Sequence, residues 1–514
     1  MNKLTRNLLS IFALISSLFI ASSCGDDSTE DAPTGMQATI VTRSSSIKEG
    51  AEVDAATVTK ITISYNTTVT QLADANITLN GVKVVGQKGA TTAMDMDIAV
   101  TLEDGKEYTL IIPEGSVVAT NDANRTAPEF VLHFKTKKSL EDSLPDNEAM
   151  AVTRKLGFGW NLGNHFDSHN DGKKVPESWG SWWDHATPTE ALYQNLAKAG
   201  VKTVRIPVTW GPWQGTAPEY LIEDSYMSLV KNNVLWAKAA GLNVVLNTHH
   251  DEYWQDAYSA SSNTETNEEI KARIVATWKQ IAETFKDEDD YLILETFNEL
   301  NHNWAAPTNG ELKIMNEWNQ LVVNTIRETG GKNATRWIAV PSYQASPTYA
   351  LDSRFVIPAD NANKLIVAVH CYDPYNFTLA ENLVETWGHN AGNSYDEKNI
   401  TDLLSKLKAQ FIEKNIPCYL GEIGCSRHTT DLGNACRDYY FEYFCRAAHY
   451  AGLAVTLWDN FSPGDGAEHH AYISHNDGSW MNDSEELVKT MIKAATSTDP
   501  TYTLESIYNR APKK

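Results

Sequence analysis

Between residues 157 and 460, eight short apolar runs alternate with segments of helical period, and few folds can absorb that alternation. The runs are GFGWNLG (157–163), TVRIPV (203–208), NVVLNTHH (243–250), LILETFNEL (292–300), RWIAVPS (336–342), KLIVAVHCY (364–372), PCYLGEIG (417–424) and LAVTLWDN (453–460). Between most of them lie 188–199, 226–240, 267–286, 312–329, 399–414 and 433–450, where apolar side chains recur at the spacing of one helix face. Gly200, Gly241 and Gly452 follow the last turns of three of these segments, where a left-handed residue closes a helix. Strands apolar on both faces belong to buried parallel sheets. Eight of them with intervening helices predict an α/β domain over 148–510, a (β/α)8 TIM barrel with loop insertions. A doubly wound sheet also alternates, but it normally carries a Gly-rich phosphate loop after its first strand. Phe158 and Trp160 are too bulky for such a cradle.

A barrel of this kind carries its active site at the C-terminal ends of its strands. Those ends present Asn161, Asn164, Arg205, His249, His250, Asn298, Glu299, His370, Tyr372, Glu422 and Trp458. One Glu at a strand end is usually a cap or a solvated residue. Two on facing strands, with Arg, His, Tyr and Trp around them, are what glycoside hydrolysis requires: one carboxyl protonates the leaving oxygen and the other meets the oxocarbenium-like carbon. Glu295 has the strand parity of Glu299 but lies four residues deeper, and reads as a buried, hydrogen-bonded barrel residue.

The segments GWNLGN, VRIPVTW, NTHHD, ETFNEL, HCYDPYNFT, LGEIG and LWDN, in that order from about 160 to 460, resemble glycoside hydrolase family 5, the cellulase-like endo-β-1,4-glucanases. The resemblance implies that Glu299 is the acid/base and Glu422 the nucleophile. It makes Arg205, His249, Asn298, His370, Tyr372 and Trp458 substrate-binding residues, with His250 and Asn161 beside them. Leu300 stands where many members have Pro, a departure that should leave the carboxylate in place. The activity implied is retaining hydrolysis of β-glucan chains, whether cellulose-like, xyloglucan or mixed-linkage. A β-mannanase or other β-glycanase of the same family stays open, as does a non-catalytic glycan-binding surface lipoprotein. A binder, however, has no need of both carboxylates. Retention predicts a carboxyl separation of about 5 Å. Arg205 and the Tyr372 hydroxyl are expected to keep Glu422 ionised, and the charge of Glu422 to raise the pKa of Glu299. Neither cofactor nor metal is expected, because no carboxylate-rich cluster accompanies His249-His250 or His469-His470.

All 15 Trp lie at or beyond Trp160, which separates the two ends of the chain in function. Trp236, Trp278 and Trp318 fall inside helical segments and read as core. Trp179, Trp182, Trp183, Trp210, Trp213, Trp254, Trp304 and Trp387 lie in or beside loops on the catalytic face. About half of these are expected to stack on sugar rings, which suggests a chain-binding cleft and endo attack.

Residues 36–137 contain short alternating strands with Gly81, Gly105 and Gly115 at the breaks, and predict a small β-sandwich. ITLNGVKV and YTLIIPEGSV resemble bacterial Ig-like modules, and the lack of Trp favours a spacer over a sugar-binding role. KSLEDSLPDN (138–147) reads as a linker. Before them, Lys3 and Arg6, the apolar stretch Leu8–Ile20 and Ala21-Ser22-Ser23 form an export signal over 1–23. Cys24 after small residues resembles a bacterial lipoprotein signal, which implies cleavage before Cys24 and a lipid anchor on its sulfur. The acidic tether 24–35 resembles the export tag of Bacteroidetes lipoproteins, which implies the cell-surface face of the outer membrane. A net charge of 43 − 66 = −23 argues against nucleic acid as a partner. Cys371, Cys418, Cys425, Cys436 and Cys445 contain no CxxC pair, so no structural zinc site is expected, while one disulfide stays open.

Overall fold

The computed structural model describes residues 39–55, 57–90, 92–137, 144–179, 182–251, 257–392 and 395–514. The export signal, Cys24, the acidic tether, residues 138–143 and Trp254 lie outside the described residues, as does the side chain of Trp179. The chain divides into two compact units, Met1–Lys138 and Ser139–Lys514.

In the first unit, Thr42–Ser45, Lys60–Tyr65, Asp95–Ala99 and Gly86–Lys88 form one sheet. Ala51–Val53, Phe130–Thr136, Glu107–Ile112, Thr78–Leu79 and Val82–Lys83 form a second, and Asp122–Thr126, Val117–Ala119 and Val69–Gln71 a smaller third. Lys60–Tyr65 and Glu107–Ile112 bury every second residue. Ile61, Ile63, Ile98, Leu110, Ile112, Leu132 and Phe134 meet in one core, as period-two alternation requires. Four short strands escaped the sequence reading: Ala51–Val53, Val69–Gln71, Gly86–Lys88 and Asp122–Thr126. All are partly exposed at some positions and too short to show a period.

In the second unit all eight apolar runs are strands of a closed parallel barrel: Phe158–Asn161, Thr203–Ile206, Asn243–Asn247, Leu292–Glu295, Ile338–Pro341, Leu365–Cys371, Cys418–Ile423 and Ala454–Leu457. The six helical segments appear as Glu190–Ala199, Asp224–Ala239, Thr264–Thr284, Asn309–Glu328, Glu397–Gln410 and Asp431–Ala451. Local chemistry sets their ends. Thr308 and Glu311 form a reciprocal cap at the start of Asn309–Glu328, and Gly452 closes Asp431–Ala451 in the left-handed conformation at φ 73°.

Among the described residues, two helices of nine or more residues were not read from the sequence. Glu485–Thr496 buries Leu487, Val488, Met491 and Ala494 and follows the eighth strand. Glu148–Leu156 precedes the first strand and closes the lower mouth of the barrel. Its Val152 and Leu156 cluster with Val245, Ile293, Ala339, Ile366, Ala368, Tyr419 and Ala454. Asn147 caps that helix by accepting from the Met150 amide and donates to the Ile412 carbonyl, while Leu144 packs on the core. The final residues read as linker therefore belong to the barrel.

Candidate active site

Strand parity places the functional groups. Val245 and Ile293 point into the lower barrel, and two residues on, along the same strands, stand Asn247 and Glu295. Arg205 and Asn161 occupy the corresponding positions two residues beyond Thr203 and Gly159. Arg205 is fully buried and all five of its N–H groups are engaged. Nε and Nη2 donate to Glu295 Oε1 at 3.0 and 2.7 Å, Nη1 to Asn161 Oδ1 at 3.0 Å and Glu422 Oε1 at 2.7 Å, and Nη2 to Asn298 Oδ1 at 2.8 Å. Glu295 also accepts from Asn247 Nδ2 at 3.1 Å and from the Tyr419 hydroxyl.

Glu422 faces the barrel mouth because the pairing of the sixth and seventh strands shifts by one residue. Val369 pairs with Leu420, but His370 pairs with Glu422, so Gly421 is extra. A Cβ on Gly421 would come within 3.1 Å of His370 Nε2 and 3.2 Å of the Tyr419 hydroxyl, so any larger residue would press on both. Besides Arg205, Glu422 accepts from the Tyr372 hydroxyl at 2.8 Å on Oε2. Glu299 lies just past the fourth strand, with Oε1 2.7 Å from His370 Nδ1. Ligand atoms of Glu299, His370 and Glu422 all lie within 4.8 Å of one another.

Burial raises the Glu299 carboxyl to about 7, with Arg205 opposing and Glu295 adding to the rise. The sequence reading gave that role to the charge of Glu422. Burial is the larger cause, and Glu295 is the carboxylate that adds to it. Burial also raises Glu422, against the pull of His370, Arg205 and the Tyr372 hydroxyl, and Glu299 adds to the rise. The two bonds foreseen for Glu422 are present and favour its anion, yet desolvation outweighs them. Direct cationic and hydroxyl donors fall on Glu422, so it is the better anion holder of the pair. Burial lowers His370 to about 4, leaving a neutral imidazole between the carboxyls.

A cavity of about 700 Å³ opens above these groups. Asn298, Glu299, Glu422, His249, His250, His370, Tyr372 and Trp458 line it, together with Asn164, Trp304, Gln344, Tyr375 and Glu468. Arg205 and Asn161, read as substrate-binding, lie instead beneath its floor. Their polar groups are committed to protein partners, including Asn161 Nδ2 to the carbonyls of Gly421 and Leu457, so they position other residues. Gln344, Tyr375 and Glu468 were not singled out. Tyr375 sits within the quoted HCYDPYNFT, whereas Gln344 and Glu468 belong to loops with no period, held at φ 58° and 60°.

The described tryptophans divide between packing and the cleft. Trp278 and Trp318 are core and Trp236 packs on it. Among the loop tryptophans, however, Trp210 and Trp387 are buried, and Trp182 and Trp213 pack on the core, Trp213 stacking on Tyr226 at 4.4 Å. Trp183 stands 5.9 Å from the His250 ring. Trp304, 65% exposed, is the loop tryptophan that lines the cavity among the described residues. The large apolar area of an indole and its pairing with a neighbouring ring favour the inward packing seen for Trp213 on Tyr226.

Asp167, His249 and His250 also bring potential ligand atoms within 4.8 Å. Asn247 Oδ1 accepts from the Val208 amide, so its Nδ2 donates to His249 Nδ1 at 3.0 Å. The neutral ring then carries its proton on Nε2, the atom 4.0 Å from Asp167. That tautomer suits a donor to a hydroxyl or carboxylate and gives a cation no lone pair. A buried charge cluster joins the segments that follow the first and eighth strands. His475 Nδ1 lies 2.8 Å from Asp184 and its Nε2 3.4 Å from Asp459. Burial disfavours the imidazolium, but the two carboxylates prevail and raise His475 to about 9. All five described cysteines are buried free thiols.

A family model described as cellulase (glycosyl hydrolase family 5) matches residues 165–463. The chain is 30% identical over 399 residues to a xyloglucan-specific endo-β-1,4-glucanase of Bacteroides ovatus, covering 70% of this chain and 78% of that protein. A native Bacteroidetes-affiliated family 5 cellulase linked with a polysaccharide utilization locus superposes with TM-score 0.67 at 35% identity, over 72% of this chain and 98% of that one. A variant family 5 lichenase from a Caldicellulosiruptor species, in complex with cellotetraose, superposes with TM-score 0.62 at 29% identity, over 69% of this chain and 96% of that one. The chain spans only 41% of a cellulase/esterase of Acetivibrio thermocellus and 59% and 64% of two endoglucanases, from Clostridium longisporum and Neocallimastix patriciarum.

Proposed function

The chain belongs to glycosyl hydrolase family 5, and from that premise we propose that it is a retaining endo-β-1,4-glucanase in which Glu422 is the nucleophile and Glu299 the acid/base. The observation that carries this reading is the approach of the two carboxyls, with oxygens within 4.8 Å at the floor of an open cavity. Carboxyls about 5 Å apart leave no room for a water between nucleophile and sugar, which favours double displacement over direct hydrolysis.

In the first step Glu422 attacks the anomeric carbon and forms a glycosyl ester, while protonated Glu299 gives its proton to the glycosidic oxygen and the leaving chain departs as an alcohol. In the second, ionised Glu299 takes a proton from water, the water oxygen attacks the anomeric carbon, and the ester bond breaks to return Glu422 as carboxylate. Arg205 and Tyr372 stabilise that carboxylate before attack and after release. With a pKa near 7, Glu299 can serve as both acid and base around neutral pH. Asn298 spends Oδ1 on Arg205, which leaves Nδ2 for a sugar hydroxyl. Trp458 offers a ring face on which the reacting sugar can stack.

The substrate proposed is a neutral β-1,4-linked glucan, supported by the xyloglucan-specific relative and the cellotetraose-bound one. A panel of cellulose, xyloglucan, mixed-linkage glucan and mannan tests it, with NMR of the first anomer released. A β-anomer from glucan is the expected product. An α-anomer would overturn the mechanism, and a preference for mannan would overturn the substrate. Residues 1–24 support attachment to the cell surface through Cys24, with the first unit as a spacer. Incorporation of labelled fatty acid by the wild type and its loss in Cys24→Ala is the corresponding check.

A further inference from the structure

The loop from Phe461 to His470 follows the eighth strand and is unusual in its backbone. Phe461, Gly464, Gly466 and Glu468 all have positive φ, at 56°, 127°, 99° and 60°. Two of them are not glycine, so the loop holds strain that its surroundings must compensate. Asn460 supplies much of that compensation. Its amide donates to the His470 carbonyl at 2.9 Å and its Nδ2 to the Glu468 carbonyl at 2.9 Å. Its Oδ1 accepts from the amides of Ser462 and His470 at 3.1 and 3.2 Å. One buried side chain thus clamps both ends of the loop and fixes Glu468 at the cleft rim, where it lines the same cavity as Glu299 and Glu422.

The cleft is otherwise one-signed. Asp373 joins Glu299, Glu422 and Glu468 in its lining, and among the described residues no Lys or Arg does. The guanidinium beneath, Arg205, is already bonded to Glu295 and Glu422. Desolvation and the neighbouring Glu299 push the Glu468 carboxyl upward, with His469 opposing.

We propose that Glu468 is a specificity-determining residue of the cleft: it accepts hydrogen bonds from the hydroxyls of a neutral glucan and repels chains that carry carboxylates. The proposal rests on the glucanase reading above. A carboxylate is acceptor-only, with lone pairs for two vicinal hydroxyls, and in a cleft whose described lining holds no Lys or Arg it disfavours a second anion by Coulomb repulsion.

The test compares kcat/KM on soluble mixed-linkage β-glucan with that on carboxymethylcellulose, at low and at high salt. Glu468→Gln keeps the shape and an acceptor but removes the charge. It is expected to raise the carboxymethylcellulose to β-glucan ratio about three- to tenfold at low salt. High salt should move the wild-type ratio the same way and the variant much less. Glu505→Gln, at an exposed position of the short helix Leu504–Tyr508, should leave the ratio unchanged. Inactivity of the wild type on both polymers would sink the hydrolase reading and this proposal with it. An active wild type whose ratio does not respond to Glu468→Gln, or responds equally to Glu505→Gln, overturns the role of Glu468 alone.

Discussion

At the lower end of the barrel, Val245, Ile293, Ala339, Ala368 and Ala454 close against Val152 and Leu156. Two residues further along the same strands, Asn247 and Glu295 surround Arg205 together with Asn161 and Glu422. Both layers are almost wholly removed from water, yet one is hydrocarbon and the other carries a cation between two carboxylates. The lower layer gains from every square ångström it buries. The upper one faces a desolvation cost that only a complete set of partners offsets, and Arg205 has no spare donor. The rigid apolar end therefore supports a polar end that could not hold itself together alone.

Substitutions can pull these layers apart. Glu422→Gln and Glu299→Gln should each cut kcat/KM on β-glucan by on the order of 10⁴-fold. Thermal melts should show stability held or raised, because each change removes one of several crowded carboxylates. Arg205→Met should cost about 4 kcal/mol in urea unfolding, since Glu295 and Glu422 would lose their shared counter-ion; an unchanged midpoint would mean the polar layer is not held by that cation.

Ile293→Ala, in the lower layer, should cost about 3 kcal/mol by leaving a cavity, with kcat/KM within about twofold of wild type by the same logic of distance. The pH response should then separate the two ends. His475 is raised to about 9 when folded, above its unfolded value of about 6.5. Its contribution is therefore complete below pH 6.5 and lost as pH rises through about 9, a window worth about 3 kcal/mol. Ile293→Ala should keep this alkaline loss of stability and His475→Gln should lack it, as urea titrations at intervals across that window would show. The mildest effect is kinetic: wild-type kcat/KM should begin to fall near pH 7 and drop about tenfold per unit above it as Glu299 loses its proton.

The barrel was legible because burial on both faces leaves strands as unbroken apolar runs, and because Gly residues close helices between them. Glu299, Glu422, His370, Tyr372, His249, Asn298 and Trp458 were legible as cleft residues because they fall at or just past strand ends. Arg205 and Asn161 share that position along the chain, but alternation alone does not distinguish a cleft floor from the layer beneath it. Glu148–Leu156 is nine residues with Arg154 and Lys155 in its last turn, too short and too charged for its apolar face to stand out. Which of the loop tryptophans turn inward was not legible for a different reason. Whether Trp213 meets a sugar or Tyr226 depends on a contact between distant residues, which no local pattern encodes.

Anyone stepping along the seventh strand by twos from Tyr419 lands on Gly421 and then Ile423, missing Glu422 altogether. The misregistration opposite His370 resets the count, so that two successive residues share one side and the first of them contributes nothing but backbone. Chemistry in this barrel is thus aimed by an off-by-one. A family member in which this irregularity was ironed flat would keep every acidic residue, and would point this one at the surrounding helices instead of into the cleft.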